Sequence, residues 1–324
     1  MINILTLVIF SSLCVLFSGV FYKIFWKTLL RLSKVPTGFG LVLMFYFLLI
    51  YFNNEFFQEL TLTSIFILML LSTIYWFDDL FEISPRIRVC IAALGGFIIA
   101  SPFNNFALEG VETYILLFLI SGLFSLVFTN VINFYDGADL NVATLLLLTS
   151  YILIFHSINH NELERLGYYL LSFTIGFACL NAFPKNIYMG DSGCFVIATF
   201  FLYLIFYYLS KQTIANLDFL IVLSLPFFDV LFVLIIRIYK KENLLSRNYL
   251  HLYQILHSKY QNKVYLLPQI INVMLTIFIS HHFVDSARYQ DLKILLVSVI
   301  VTPIVYLTIR LIAVGRSNFF DPYI

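Results

Sequence analysis

Long apolar runs alternate with short polar breaks along the whole chain. Such runs suggest helices that cross a membrane. They fall near 3–25, 37–52, 60–77, 87–102, 112–130, 140–156, 166–182, 193–210, 217–237, 264–282 and 292–314. A helix needs about 20 residues to cross the hydrocarbon core, so the pattern predicts about eleven transmembrane helices, with ten as the alternative. The fold class that follows is all-α: a polytopic integral membrane protein forming a single membrane-embedded domain over residues 1–324. The first run has neither a basic leading segment nor a small-residue cleavage site, and is read as a retained helix.

Composition closes off the soluble alternative. The chain is 61% hydrophobic and 11% charged, with a mean hydropathy of +0.94, whereas a soluble domain carries about 25% charged residues. A net charge of +1 gives no reason to expect a nucleic-acid partner. The 36 Phe and 21 Tyr suit lipid-facing and interfacial positions. Cys14, Cys90, Cys179 and Cys194 lack metal-binding spacing and lie in or beside apolar runs, so they are expected to be buried, inert thiols.

Charge orients the bundle, because basic residues are retained on the cytoplasmic side. Of the 19 Lys and Arg, only Arg165, Lys211, Arg288 and Lys293 fall on one alternate set of connections. The rest, from Lys23 to Arg310 and Arg316, fall on the other. The second set is therefore expected to be cytoplasmic, with the N-terminus outside and the C-terminus inside. Half of the 18 acids (Glu55, Glu59, Glu109, Glu112, Glu162, Glu164, Asp218, Asp285, Asp291) sit in the outer connections as ordinary loop charges. The other nine include tight clusters among the cytoplasmic basic residues.

Four such clusters carry candidate chemistry. Asp78-Asp79 ends the third run, where adjacent carboxylates repel unless a cation, proton or basic partner is near. Arg86 and Arg88 follow at the start of the fourth run, within reach of a phosphate held there. Asn130, Asn133, Asp136, Asp139 and Asn141 surround Gly137 at a helix junction, a set of hard oxygen ligands suited to Mg²⁺ and phosphate esters. Asn181-Ala-Phe-Pro184 leads to Met189-Gly190-Asp191-Ser192-Gly193, where glycines permit close backbone approach and a helix start faces an anion. A plain helix cap by Asp191 or Ser192 would explain part of this cluster. Last, Pro226-Phe-Phe-Asp229 lies inside an apolar run and is followed by Arg237, Arg247 and His251-Leu-Tyr-Gln254. An ionisable residue such as Asp229 within a span is a functional candidate by default. The predicted crossings bring the ends of the third, fifth, seventh and ninth helices to the same membrane face.

Taken in order, these motifs resemble the polyprenyl-phosphate N-acetylhexosamine-1-phosphate transferases, the MraY/WecA family within glycosyltransferase family 4. The resemblance rests on Asp78-Asp79 with Arg88, on Asn130-x-x-Asn133-Phe-x-Asp136-Gly-x-Asp139, on Asn181-x-x-Pro184 with Met189–Gly193, and on Pro226-x-x-Asp229 with His251-Leu-Tyr-Gln254. It implies a Mg²⁺-dependent enzyme, with Mn²⁺ as a substitute, that moves a sugar 1-phosphate from a UDP-N-acetylhexosamine-type donor to undecaprenyl phosphate. The products would be undecaprenyl-diphosphate-sugar and UMP, made at the cytoplasmic face of the bacterial inner membrane to initiate a cell-envelope glycan. It also implies that Asp191 binds the metal and that Asp78 or Asp79 handles the acceptor phosphate. Asn133, Asp136 and Asp139 would line the nucleotide and phosphate site together with Asn130. Arg88, Arg247 or His251 would contact phosphate, and Asn181 the nucleotide. Three departures stand out: Pro36-Thr-Gly-Phe-Gly40 keeps the family's loop glycines without its Arg, Leu140 replaces the Gly often found after the second Asp, and His251-Leu-Tyr-Gln254 replaces a run of histidines. The last is closer to the branch serving lipopolysaccharide O-antigen or capsule assembly. A homodimer is compatible with the sequence. A multi-span secondary transporter is the competing function, since Asp229 within a span also suits a carrier.

Overall fold

The computed structural model describes residues 4–28, 35–53, 57, 59–81, 83–103, 111–155, 161–183, 186–211, 214–243, 249–260, 263–283 and 290–315. Its helices are α1 (Ile4–Thr28), α2 (Gly40–Asn53), α3 (Leu62–Phe81), α4 (Pro85–Ala100), α5 (Val111–Tyr135), α6 (Asn141–Phe155), α7 (Asn161–Asn181), α8 (Gly190–Ser210), α9 (Ile221–Tyr239), α10 (Leu252–Tyr260), α11 (Leu267–Phe283) and α12 (Gln290–Val314). All but α10 coincide with the predicted apolar runs. Among the described residues eight helical segments are long and apolar enough to cross a membrane, and α2 and α6 are apolar but shorter. α7 opens on Glu162 and Glu164.

The exterior is that of a membrane protein. Phe10, Phe21, Leu70, Leu123, Val299 and Ile312 are among the large apolar side chains left more than half exposed. An apolar surface on this scale is stable only against lipid. For the same reason Cys14, Cys90 and Cys179 are exposed rather than buried, and only Cys194 lies inside. The expectation of buried thiols is corrected for those three, since an apolar run shows proximity to hydrocarbon and not burial in protein.

The chain gathers into two compact units, residues 1–214 and 215–324, each described by itself. In the first, α8 is the central helix, 83% buried over its apolar window, with α2, α3, α4 and α5 packed around it and α6, α7 and α1 forming a connected layer. Close approach at the start of α8 depends on glycine. A Cβ on Gly40 would lie 2.0 Å from the Gly193 nitrogen, so the first turns of α2 and α8 meet backbone to backbone.

In the second unit α9, α11 and α12 pack together, and α10 lies against α12. Pro226 interrupts α9 and removes the amide that would bond the Val222 carbonyl. Gln269 of α11 donates to that carbonyl instead. Ser224 receives hydrogen bonds from Asn272 (2.9 Å) and Thr302 (3.0 Å). A side chain of a neighbouring helix thus satisfies the carbonyl that the proline leaves without its amide, as lipid cannot.

Candidate active site

The first unit collects the ends of α3, α5 and α7 and the starts of α2, α4 and α8. Its centre is the first turn of α8. Gly190 adopts φ +74°, which turns the chain into the helix and which glycine tolerates at no steric cost. A Cβ there would lie 2.3 Å from the Gly38 nitrogen and 2.7 Å from both carboxylate oxygens of Asp79. The Pro36–Gly40 segment runs alongside this turn: Tyr188 N–H donates to Pro36 O at 2.9 Å, Phe39 N–H to Tyr188 O at 3.3 Å and Gly40 N–H to Met189 O at 3.1 Å.

The opening amides of α8 have no partners within the helix and attract negative charge. Two aspartates from elsewhere supply it. Asp79, on α3, accepts from Asp191 N–H (3.0 Å), Ser192 N–H (3.4 Å) and the Ser192 hydroxyl (3.3 Å). Asp136, just past α5, accepts from Gly190 N–H at 2.8 Å. Met189, at the cap position itself, makes no side-chain cap bond. The cap expected of Asp191 or Ser192 is therefore provided across space, which leaves the Asp191 side chain for other partners.

Asp191 accepts from Asn133 Nδ2, and its Oδ2 lies 3.7 Å from Arg88 Nη1. Arg88 also pairs through Nε with Asp78 Oδ2 at 2.8 Å, and donates to Ile83 O. The Asp78 carboxylate is 1% exposed and the Arg88 side chain 38%. One guanidinium edge is thus fixed inside while the other side of the residue remains reachable. Burial pushes the Asp136 carboxyl up to about 7, with the Asp191 charge adding to the rise and the Gly190 and Met189 amides opposing it.

The remaining predicted residues occupy varied places. Tyr188 Oη–H donates to Asp139 at 2.9 Å. Asn181, 2% exposed, accepts from Leu140 N–H and donates to Ile187 O at 2.7 Å, clasping the 136–141 and 186–189 segments together. Leu140 there has φ +64°, the left-handed region, which is strained for a bulky residue. Asn130 is exposed and donates to Leu126 O of its own helix at 2.8 Å. Arg86 is also exposed. Pro184 and Arg247 lie outside the described residues.

Sequence reasoning missed the residues that brace these loops. Lys23 donates to Asn186, Tyr22 to Thr37 O, and Trp76 Nε1 to Tyr22 Oη at 2.8 Å. No local pattern marks contacts between residues so far apart in the chain.

In the second unit, Asp229 and His251 are paired inside a buried cluster, Nδ1 to Oδ2 3.1 Å. Asp229 also accepts from Leu252 N–H (3.0 Å), and Gln254 reaches back to His251 N–H (3.3 Å). The His251–Gln254 motif is thus the capped start of α10, a helix absent from the predicted runs. Tyr306 and Arg310 of α12 complete the cluster. Arg310, read from sequence as a cytoplasmic loop charge, is instead fully buried within its helix. An i, i+4 Tyr–Arg pair inside an apolar run was the available signal.

Residues 60–209 match the family model described as Glycosyl transferase family 4. No curated protein matches the chain. The matched segment contains Asp78, Asp79, Arg88, Asn133, Asp136, Asp139, Asn181 and Asp191, so the helix-end cluster lies within it. It supports a membrane-embedded transferase of the phospho-sugar class.

Proposed function

We propose that the protein transfers a sugar 1-phosphate from a UDP-N-acetylhexosamine-type donor to undecaprenyl phosphate, releasing UMP, at the cytoplasmic face of a bacterial inner membrane. The observation that carries this reading is the first turn of α8, where Asp79 and Asp136 hold the backbone and leave Asp191 beside Arg88. With the opening amides of α8 already held, the Asp191 carboxylate and the Arg88 guanidinium side by side suit a hard cation and a diphosphate.

Among the described residues no three His, Cys, Asp or Glu side chains are grouped as a metal cage. The donor chemistry nonetheless fits Mg²⁺, which takes few protein carboxylates and completes its shell with water and substrate phosphate. Asp191 is the residue to hold it, with Mn²⁺ as a substitute. The ion would lower the charge on the diphosphate and so ease the approach of a second anion.

The reaction joins an oxygen of the acceptor phosphate to the β-phosphorus of the donor and breaks the bond to the oxygen of UMP. Arg88 binds phosphate with its exposed edge while Asp78 fixes the other. Asn133 orients Asp191 by donating to Oδ1. Asp79 and Asp136 keep the α8 amides in place, and Asn181 sets the spacing of the two loops that flank them. His251 and Arg247 are further phosphate contacts. The His251-Leu-Tyr-Gln254 form favours a deoxy-amino or N-acetylhexosamine sugar of O-antigen or capsule assembly.

The test incubates purified protein with Mg²⁺, undecaprenyl phosphate and a panel of radiolabelled UDP-N-acetylhexosamines. A labelled lipid diphosphate and stoichiometric UMP are expected. Folded protein that gives no lipid product with any donor overturns the assignment. The metal assignment has its own check: Asp191→Asn should melt at the wild-type temperature and show no turnover, and near-wild-type activity removes Asp191 as the ligand.

A further inference from the structure

The second unit holds a buried polar cluster between membrane helices that lies outside the family match. Asp229 of α9 is 3% exposed, His251 3%, and Tyr306 and Arg310 of α12 0%. Asp229 Oδ1 accepts from Tyr306 Oη–H at 2.8 Å and from Leu252 N–H at 3.0 Å, and Oδ2 meets His251 Nδ1 at 3.1 Å. Arg310 Nη1 donates to Tyr306 Oη at 3.2 Å and to Leu250 O at 2.8 Å, with its guanidinium 5.1 Å from the centre of the Phe232 ring.

Two physical points give the cluster a direction. An ionised carboxylate only accepts hydrogen bonds, so against Asp229 the imidazole carries its proton on Nδ1, and proton exchange and ligand contact pass to Nε2. The Tyr306 hydroxyl accepts from Arg310 and donates to Asp229, so the buried cation supports the carboxylate through the phenol. Arg310 simultaneously holds the carbonyl of Leu250, the residue before His251. Both ends of the imidazole's support therefore lead back to one face of α12. Packing alone gives no reason for this, since apolar residues of similar volume usually hold buried helices together as well as a buried ionic network does.

We propose that Tyr306 and Arg310 are positioning residues for His251, holding Asp229 and the 250–252 backbone so that the ring stays in its Nδ1–H form with Nε2 as its working nitrogen. The inference deepens the transferase reading by assigning the support of a phosphate-contacting histidine, and it rests on that reading for its catalytic consequence.

The experiment uses the full chain in detergent, with Tyr306→Phe as the mild variant, Arg310→Met as the stronger one, and each combined with His251→Gln. Nitrogen-15 NMR of histidine-labelled protein at pH 8, with the His251 signal assigned by its loss in His251→Gln, reads the tautomer independently of turnover. Wild type should show the Nδ1–H form, and Tyr306→Phe a mixture. In the lipid-product assay Tyr306→Phe should lower kcat by about 10-fold, the lower end of what losing the partner behind a metal-bound histidine costs, because Tyr306 reaches His251 only through Asp229, with donor KM little changed. The same substitution should cost no more than about two-fold once His251 is Gln, because partners acting through one residue are non-additive.

An unchanged tautomer in Tyr306→Phe overturns the proposal, as do losses that multiply fully in the His251→Gln background. Should Arg310→Met fail to fold, Tyr306→Phe alone decides. If wild type forms no product with any donor, the transferase reading fails while the NMR result still decides whether α12 fixes the imidazole.

Discussion

Arg88 joins two roles that a double-mutant cycle can separate. Its Nε lies 2.8 Å from Asp78 Oδ2, and the Asp78 carboxylate is 1% exposed. The other oxygen of Asp78 accepts from Ile83 N–H. Arg88→Ala leaves that carboxylate inside the protein with the Ile83 amide as its donor and the Asp191 carboxyl beside it. Stripping one partner from a fully buried pair costs about 3–5 kcal/mol. Because the guanidinium is 38% exposed, water can follow it in, and the loss should be nearer 2 kcal/mol. At roughly 2–4 °C per kcal/mol for a chain of this order of size, the melting temperature in detergent should fall by about 4–8 °C. Asp78→Asn in the same background removes the stranded charge and keeps an acceptor for Ile83, so most of that loss should return. Turnover should not return, because the other face of Arg88, 3.7 Å from Asp191, is the one assigned to phosphate. Arg88→Ala melting at the wild-type temperature would refute the burial argument. Recovery of turnover in the Asp78→Asn, Arg88→Ala double variant would refute the phosphate contact.

Other outcomes follow from the same geometry. Leu140→Gly should raise stability by about 1 kcal/mol by relieving the left-handed backbone at φ +64°, and a fall in melting temperature would show that the Leu side chain matters more than the strain. Gly40→Ala should cost more than about 3 kcal/mol because the new Cβ meets the Gly193 backbone at 2.0 Å. Gly19→Ala meets side chains rather than backbone, the tip of Leu180 at 2.1 Å and the Phe39 ring edge at 3.3 Å, and should cost about 1–2 kcal/mol; equal melting temperatures for the two variants would contradict this. In chelator, the carboxyl of Asp136, raised from 3.8 to about 7, favours the folded state in its protonated form. Its contribution is full below pH 4, is lost as pH rises to about 7 and is flat above, with a ceiling near 4 kcal/mol. Asp136→Asn should flatten that limb in a pH series of denaturation curves, and a limb of unchanged slope would assign it to another group. Asn181→Ala should cost about 1–3 kcal/mol by leaving Leu140 N–H and Ile187 O without their partner, a loss read by thermal unfolding and refuted by wild-type stability.

How much the sequence revealed depends on where the information lies. The apolar helices were legible because hydrocarbon imposes one local rule on every residue of a span, so a run such as 193–210 announces α8 without reference to any other segment, and among the described residues eight segments are long and apolar enough to cross. The motifs were legible as residue types, since hard oxygen donors and glycines are scarce in such a composition. Their assignments required distance. Asp79 and Asp136 are caps of a helix that begins 111 and 54 positions later (190 less 79 and 190 less 136), and Asn181 is a clasp because Leu140 and Ile187 happen to flank it. Arg310 looked like an orienting charge because only the fold supplies Tyr306, Phe232 and the Leu250 carbonyl around it. The α10 helix was hidden because its start is secured by Asp229 from another helix as well as by its own Gln254. Chain pattern thus determined which segments enter the membrane. The tertiary structure decided which carboxylates hold backbone amides and which remain for a ligand, because a hydrogen-bonding group is used up by a partner in space, wherever in the chain that partner lies.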